Sequence, residues 1–509
     1  MIIRRSIAVL IDIVLFVLYF LAWAVAYVFL AGFIEILFHR NAFEVFFPIA
    51  ILIILTSVGL YFVVPLVKYK RTTGGCLVAR KVDSKWDLRP LALYGEVLGA
   101  IVVAYFLTWG VSSLIFGAMA RKQEKVVESM GMSLDWKSYY PPMDSLDNAA
   151  PYLNQAADSL TNKDAWKLLD WINNRPDTIA ALSEDIDKCL SANRKALALL
   201  DAALTRHKLI WHDYHTMSAY EAMGAQPFPN YTGIESLVHL CFLDAVYAAY
   251  RGDTETSTLA ISRGIGLLNL QSQDHTLISL LILNTTELRT TTNSLITLTK
   301  VAEDKQKVYP VVKDSREKIL HIITGIVRVG LQAELANHAA LLENEYGGRL
   351  NNLVFSIFDR IWGQWERYYT LQCAEYALRE TAPGNTFETI DTIEKEYDKL
   401  VGSRMITVVM TSIVASNLRI AKMQKNELMY RAMLDATFLF AAALDYRLKH
   451  GSYPRNLQNL IPEYLSELPK SPIDHKNYTY KTIGDYMEVY ALGPEGKHNP
   501  ATTVIGSEP

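Results

Sequence analysis

The residues best placed to do chemistry lie in the run Arg206-His207-Lys208-Leu209-Ile210-Trp211-His212-Asp213-Tyr214-His215. His207, His212 and His215 are candidate metal ligands. His212 and His215 are three apart and would share a helix face with Asp213 adjacent, the donor types a hydrolytic zinc site uses. A polar helix surface is the simpler reading of the same residues, because no glutamate base stands at the spacing a helical metal site needs. The chain holds no glycine-rich phosphate loop, no G-x-S-x-G elbow and no dinucleotide fingerprint. No cofactor is read from it, and catalysis is not expected. The four cysteines (Cys76, Cys189, Cys241, Cys373) are scattered without CxxC or CxxH spacing, so they are expected to be small buried hydrophobes. A second candidate pair is Arg5 and Asp12. They are seven residues apart, two turns along one helix face, with Asp12 inside an apolar run. A carboxylate there is either part of an ion or solute path or a packing and topology device.

The elements that would hold these residues differ sharply along the chain. Crossing a bilayer takes about 20 apolar residues. Three stretches reach that length: Ile7–Ile34, whose only charge is Asp12, and Val45–Val67 and Val97–Ala120, which carry none. A bundle of about three transmembrane helices is therefore expected over residues 1–120. The basic residues orient it. Arg4 and Arg5 precede the first span, and Lys68, Lys70, Arg71, Arg80, Lys81, Lys85 and Arg89 fill the loop between the second and third. Both segments belong on the cytoplasmic side, which places residues 125–509 outside. The apolar run continues well past Ala22-Trp23-Ala24, so the first helix is expected to stay uncleaved. A net charge of −3 and a pI near 6.4 give no global attraction to nucleic acid.

Arg5-Ser6-Ile7-Ala8-Val9-Leu10-Ile11-Asp12 resembles the opening signature of the RDD family of membrane proteins. Lys70-Arg71-Thr72-Thr73-Gly74-Gly75, followed by Val78-Ala79-Arg80-Lys81-Val82-Asp83, resembles that family's Thr-Pro-Gly-Lys segment and its short extended continuation. The likeness covers roughly residues 1–118. It implies an inner-membrane, multi-pass anchor in a bacterial envelope, and makes transport of ions or small solutes through Arg5 and Asp12 an alternative function. Three spans make a poor conduit alone, so that alternative implies a homo-oligomer.

Beyond the anchor the expected fold class is mostly α: a linker over 121–150, an irregular soluble helical domain over 151–425, and a small α+β module over 426–509. Leu237, Leu240, Cys241, Leu243, Ala245, Val246 and Ala249 mark one face of a helix. Gly252-Asp253 makes the turn, with Thr254 or Thr256 capping the next helix. Helices are also read over Leu277–Leu298 and Leu353–Ala377, and the apolar run Met405–Val414 is read as a core helix too short to span. In the last module an apolar helix stops at Gly451, and Tyr478–Tyr480 and Met487–Tyr490 alternate as two strands joined at Gly484-Asp485. Leu492–Lys497 reads as a loop. The order of helix, Gly-x-Tyr-Pro, Leu-Pro and tyrosine-rich hairpin resembles the C-terminal region of type II secretion pseudopilins, which implies an exported folding unit. Together these readings describe a membrane-anchored extracytoplasmic scaffold, with the lipid bilayer and envelope proteins as partners and a metal-dependent hydrolase as a further alternative.

Overall fold

A computed structural model of the chain describes residues 114–507 apart from 141, 144–145, 224–228, 345–352, 403–419, 484–485, 494–497 and 499–501. The expected spans, except 114–120 of the third, lie outside the described residues, as do Arg5, Asp12, Cys76 and the Met405–Val414 run. The chain divides into two units, Met1–Met119 and Ala120–Pro509. The second carries nearly all that is described.

That unit is mostly helical, as its sequence periodicity predicts. Helix α1 (114–129) is followed by α2 (Ala150–Asp158), α3 (Ala165–Asn174), α4 (Ser183–Ala192), α5 (Arg194–Leu204), α6 (Ala219–Met223), α7 (Tyr231–Tyr250) and α8 (Thr254–Gln271). Then come α9 (Leu277–Ile282), α10 (Leu288–Val301), α11 (Val308–Ile323), α12 (Ile326–Asn344), α13 (Leu353–Glu380), α14 (Phe387–Gly402) and α15 (Ile420–His450). Three short antiparallel strands close the chain, β1 (Thr479–Ile483), β2 (Tyr486–Tyr490) and β3 (Val504–Ser507), in the order β1-β2-β3.

The centre of the unit is α7. One apolar face was expected, but Val238 and Phe242 off that face are as buried as Leu237 and Leu240 on it. A helix apolar over most of its circumference belongs inside a core, and α7 packs against α2, α3, α8 and α10 at once. Gly252, at φ +77, turns the chain into α8, where a left-handed conformation favours glycine. The cap is neither threonine expected. Asp253 accepts from the Thr256 backbone N–H at 3.0 Å and from the Thr256 hydroxyl at 2.7 Å. Its carboxylate also meets the positive end of the helix dipole.

Two apolar stretches among the described residues are long enough to cross a membrane: α7 and the run 305–340. Length and composition are weak evidence of membrane association. Of the apolar window in α7, 78% is buried inside the fold. The second stretch breaks at Gly325, φ +79, between α11 and α12.

The segment expected as a linker over 121–150 is part of the core. Val127, Met132, Trp136 and Tyr140 are buried in the main hydrophobic cluster. Glu124 is held by the Arg367 guanidinium at 2.8 Å. The same cluster runs from Ala120 to Val504, so the C-terminal strands share a core with the helices rather than forming a module apart. The hairpin pairs Thr479 with Tyr490 as its alternation predicts. The tail, read as a loop up to Lys497, later adds β3, with Val504 opposite Val489. Met487 and Val489 lie buried where β2 packs on α15. At that seam Asp435 of α15 accepts from Arg316 of α11 at 2.6 and 2.7 Å and from the Tyr478 hydroxyl at 3.1 Å. The helix α15 ends at Gly451, φ +76, with Arg447, Lys449 and His450 in its last turn, as expected. Cys189 and Cys241 are free thiols and fully buried, and Cys373 is half-buried with the Tyr397 hydroxyl 3.9 Å from its sulfur.

Candidate functional site

The three histidines do not converge. Residues 206–218 form turns and extended chain rather than a helix, so the three-residue spacing of His212 and His215 no longer aligns them. Pairing with 147–149 draws the segment straight: the Asn148 side-chain amide donates to the Ile210 carbonyl at 2.8 Å, and the Ile210 N–H donates to Asn148 Oδ1 at 3.0 Å. Each ring then serves a different neighbour. His207 Nδ1 lies 3.0 Å from Asp147 Oδ1, His215 Nε2 lies 2.8 Å from the Tyr140 carbonyl oxygen, and His212 stands edge-on to Tyr214. Among the described residues no group of three or more His, Cys, Asp or Glu side chains is placed to hold a metal ion.

A cleft of about 600 Å³ opens instead between α3, α7 and the start of α10. On α3, Trp166, Asp170 and Asn173 recur at helical spacing toward it, while Ala165, Leu169 and Ile172 are buried. The chain entering α3 is set by Asn193, which is fully buried. Its side-chain oxygen accepts from Thr161 N–H at 3.0 Å, and its amide donates to the Asn162 carbonyl at 2.7 Å, fixing Lys163 at the cleft. On α7, Asn230 caps the helix by accepting from Gly233 N–H at 3.0 Å. Thr232, Glu235, Ser236 and His239 then form one stripe at i, i+3, i+4 and i+7.

The third wall departs from sequence expectation. The single helix predicted over Leu277–Leu298 is interrupted by a π-turn, Leu283–Glu287, between α9 and α10. One additional residue in a turn rotates everything after it by about 100°, and this offset aims Thr285, Thr286, Arg289, Thr290 and Asn293 at the cleft. The threonines on the opposite side satisfy themselves locally. The Thr291 and Thr292 hydroxyls donate to carbonyls four residues back at 2.8 and 2.7 Å. The π-turn is held from outside by the Tyr430 hydroxyl of α15, which donates to the Thr285 carbonyl at 3.3 Å.

Behind the cleft wall lies a buried polar layer. Glu287 is fully buried and accepts from the Gln271 amide at 2.9 Å through one oxygen. Its other oxygen, the Gln271 oxygen and both polar atoms of the Asn284 amide have no hydrogen-bond partner among the described residues. Burial pushes the Glu287 carboxyl up to about 8, and the nearby Glu235 charge adds to this, so the group stays protonated at neutral pH.

At the cleft, His239 Nδ1 donates to the Glu235 carbonyl oxygen at 2.8 Å, since a carbonyl can only accept. That leaves Nε2 to accept from the Thr290 hydroxyl at 3.1 Å. Burial holds the His239 pKa below its ordinary value, against the opposing effects of Glu235 and Asp170. A hydroxyl on the acceptor nitrogen of a histidine is half of a nucleophile–base pair. The other half would be a carboxylate on Nδ1 to stabilise an imidazolium, and here a neutral carbonyl takes its place. The pair is therefore a fixed polar contact without the activation that acyl transfer needs.

What the cleft does offer is unspent recognition chemistry. Lys163, Asp170, Glu235 and Arg289 all line it, and among the described residues none of the four makes an ion pair. The Thr232 hydroxyl and the Asn293 amide also have no side-chain partner there. No motif in the sequence marks this site. Its one trace was the density of Asn and Thr in 284–293, high for a helix otherwise read as apolar. Comparison with known protein families, with curated proteins and with solved structures finds no match in any of the three.

Proposed function

We propose that this protein is a membrane-anchored extracytoplasmic binding protein that captures a polar partner in the cleft between α3, α7 and α10. The observation that carries the reading is the set of four charged side chains at one cleft with no ion-pair partner among the described residues. Charges of both signs gathered unpaired at a concave site support a recognition role, because such groups contribute little to stability there and their donors and acceptors stay available to a ligand. In this reading residues 1–120 are an RDD-type, three-span inner-membrane anchor and the basic loop at 68–89 stays in the cytoplasm. The pseudopilin-like C-terminal region acts as a brace, tied to the body through Asp435, and not as a filament subunit. Helix α7 and the broken apolar stretch 305–340 are core elements in this reading, not spans.

Paired alkaline phosphatase and fluorescent-protein fusions at the C-terminus and at Pro142 test the placement. Phosphatase activity at both sites is the expected result. Fluorescence without phosphatase activity would put the cleft in the cytoplasm and end the envelope reading.

A further inference from the structure

We infer that the cleft is a saccharide site, taking a neutral oligosaccharide segment of about two pyranose rings with Trp166 as its stacking wall. This rests on the binding-protein reading above and specifies its ligand.

Size comes first. A volume of about 600 Å³ falls within the roughly 300–1,000 Å³ typical of small-ligand sites and has room for two sugar rings. The lining chemistry narrows the class. Apart from Trp166 and Leu169, every side chain at the cleft bears a hydroxyl, an amide, an imidazole or a charge. Drug-like ligands are held largely by apolar subpockets, and this cleft has none to offer. A pyranose is the reverse case: polar around its edge, with one apolar C–H face.

Each part of such a ring has a counterpart. Trp166 stands half exposed at the cleft, and an indole face is a large, rigid apolar platform for a C–H face. The Lys167 ammonium, tied to Asp164 at 2.8 Å, lies 5.7 Å from the ring centre and helps fix it. The Asp170 and Glu235 carboxylates offer acceptors, and each can take two neighbouring hydroxyls; Arg289 can only donate, through a planar fork. A polyol is both donor and acceptor at every hydroxyl, so it can meet both kinds of group without bringing a charge.

Charge balance decides against ligands that carry charge of a single sign. Two cations, Lys163 and Arg289, face two carboxylates, Asp170 and Glu235. A phosphate or a polybasic segment would meet repulsion from one pair or the other. The neutral His239 ring adds no charge. The walls are helices whose register is set by the Asn230 cap and by the π-turn held at Tyr430, so little ordering is left to the binding step.

The test uses ligand-observed saturation-transfer NMR on the full-length protein in detergent. The probes are N,N′-diacetylchitobiose and cellobiose, with the tetrapeptide Gly-Asn-Ser-Thr as the peptide comparison. The variants are Trp166→Ala and Glu235→Gln. Trp171→Ala serves as control, because Trp171 is an exposed indole on the same helix that does not line the cleft. Near-UV circular dichroism confirms that each variant is folded. The expected result is saccharide transfer in wild type and Trp171→Ala, weakened at least tenfold in both cleft variants. No saccharide transfer in the wild type overturns the inference, as does transfer indifferent to Trp166 and Glu235. Peptide transfer that depends on Trp166, without saccharide transfer, overturns the sugar assignment while leaving a binding cleft. The fusion assay decides the envelope placement separately.

Discussion

Replacing Glu287 by glutamine should make the protein more stable at alkaline pH and leave it nearly unchanged in acid. Glu287 is fully buried behind the cleft with one oxygen unpartnered, and burial lifts its carboxyl from 4.5 to about 8. The folded state therefore keeps a proton that the unfolded chain gives up between those two values. With more protons bound in the folded state, unfolding free energy falls as pH rises, by about 1.4 kcal/mol per pH unit across that window. From about pH 5 to about pH 8 this one group costs the wild type on the order of 4 kcal/mol. Glutamine has nearly the same shape, can still pair with Gln271, and titrates nowhere in this range. The difference between Glu287→Gln and wild type should thus be near zero at about pH 5 and grow to roughly 3–4 kcal/mol in favour of the variant at about pH 8. Urea unfolding of the full-length protein in detergent, followed by tryptophan fluorescence at several pH values, measures it. Other buried acids, such as Glu427, raised to about 7, are common to both proteins and cancel in the comparison. A stability difference that stays flat with pH would mean that Glu287 is already ionised in the fold, and the reasoning would fail.

Three further outcomes are expected. Tyr430→Phe removes the donor on the Thr285 carbonyl, and should cost about 1 kcal/mol and speed amide hydrogen exchange across 283–290; unchanged exchange there would show that the π-turn needs no outside support. Gly264→Ala places a methyl 2.8 Å from the ring of Phe242, which is only 1% exposed. Overpacking of about 1–3 kcal/mol should outweigh the gain of about 1 kcal/mol in helix propensity, so a raised melting temperature would contradict the close approach of α7 and α8. Asp435→Ala strands the Arg316 guanidinium and frees the Tyr478 hydroxyl. A loss of about 3–5 kcal/mol is expected, with earlier proteolytic cleavage beyond residue 470, and cleavage at the wild-type rate would argue against the bracing role.

Much of the architecture could be read in the residues. The central helix was legible as a helix because Leu237, Leu240, Cys241, Leu243, Ala245, Val246 and Ala249 recur at helical spacing, but that Val238 and Phe242 off that face are buried too was decided by packing. The Gly252-Asp253 turn, the stop at Gly451 and the tyrosine-rich hairpin were legible because glycine and strand alternation act locally. The cap on α8 was misassigned by one or three residues, since Asp253 and two threonines compete there and sequence spacing does not say whose oxygen reaches the free N–H groups. The segment 121–150 read as a linker because proline and polar residues hid its anchors. Trp136 and Tyr140 become core residues only when the rest of the chain closes over them.

The site was a different matter. The histidine run looked chemical because three imidazoles are close in sequence, yet proximity along a chain becomes convergence only on a helix face, and hydrogen bonds to Asn148 straightened that face away. The cleft gathers Lys163, Trp166 and Asp170 with Glu235 and His239 and with Thr285 to Asn293, segments more than a hundred residues apart at their extremes. Its third wall depends on one additional residue in a helical turn, Leu283–Glu287, where Tyr430 of the distant α15 donates to the Thr285 carbonyl. Local sequence determined which segments became helices and strands, because capping, glycine and apolar periodicity act over a few residues. Which polar side chains met at the cleft was decided only when distant helices packed, because their rotation is set by the partners they bury against.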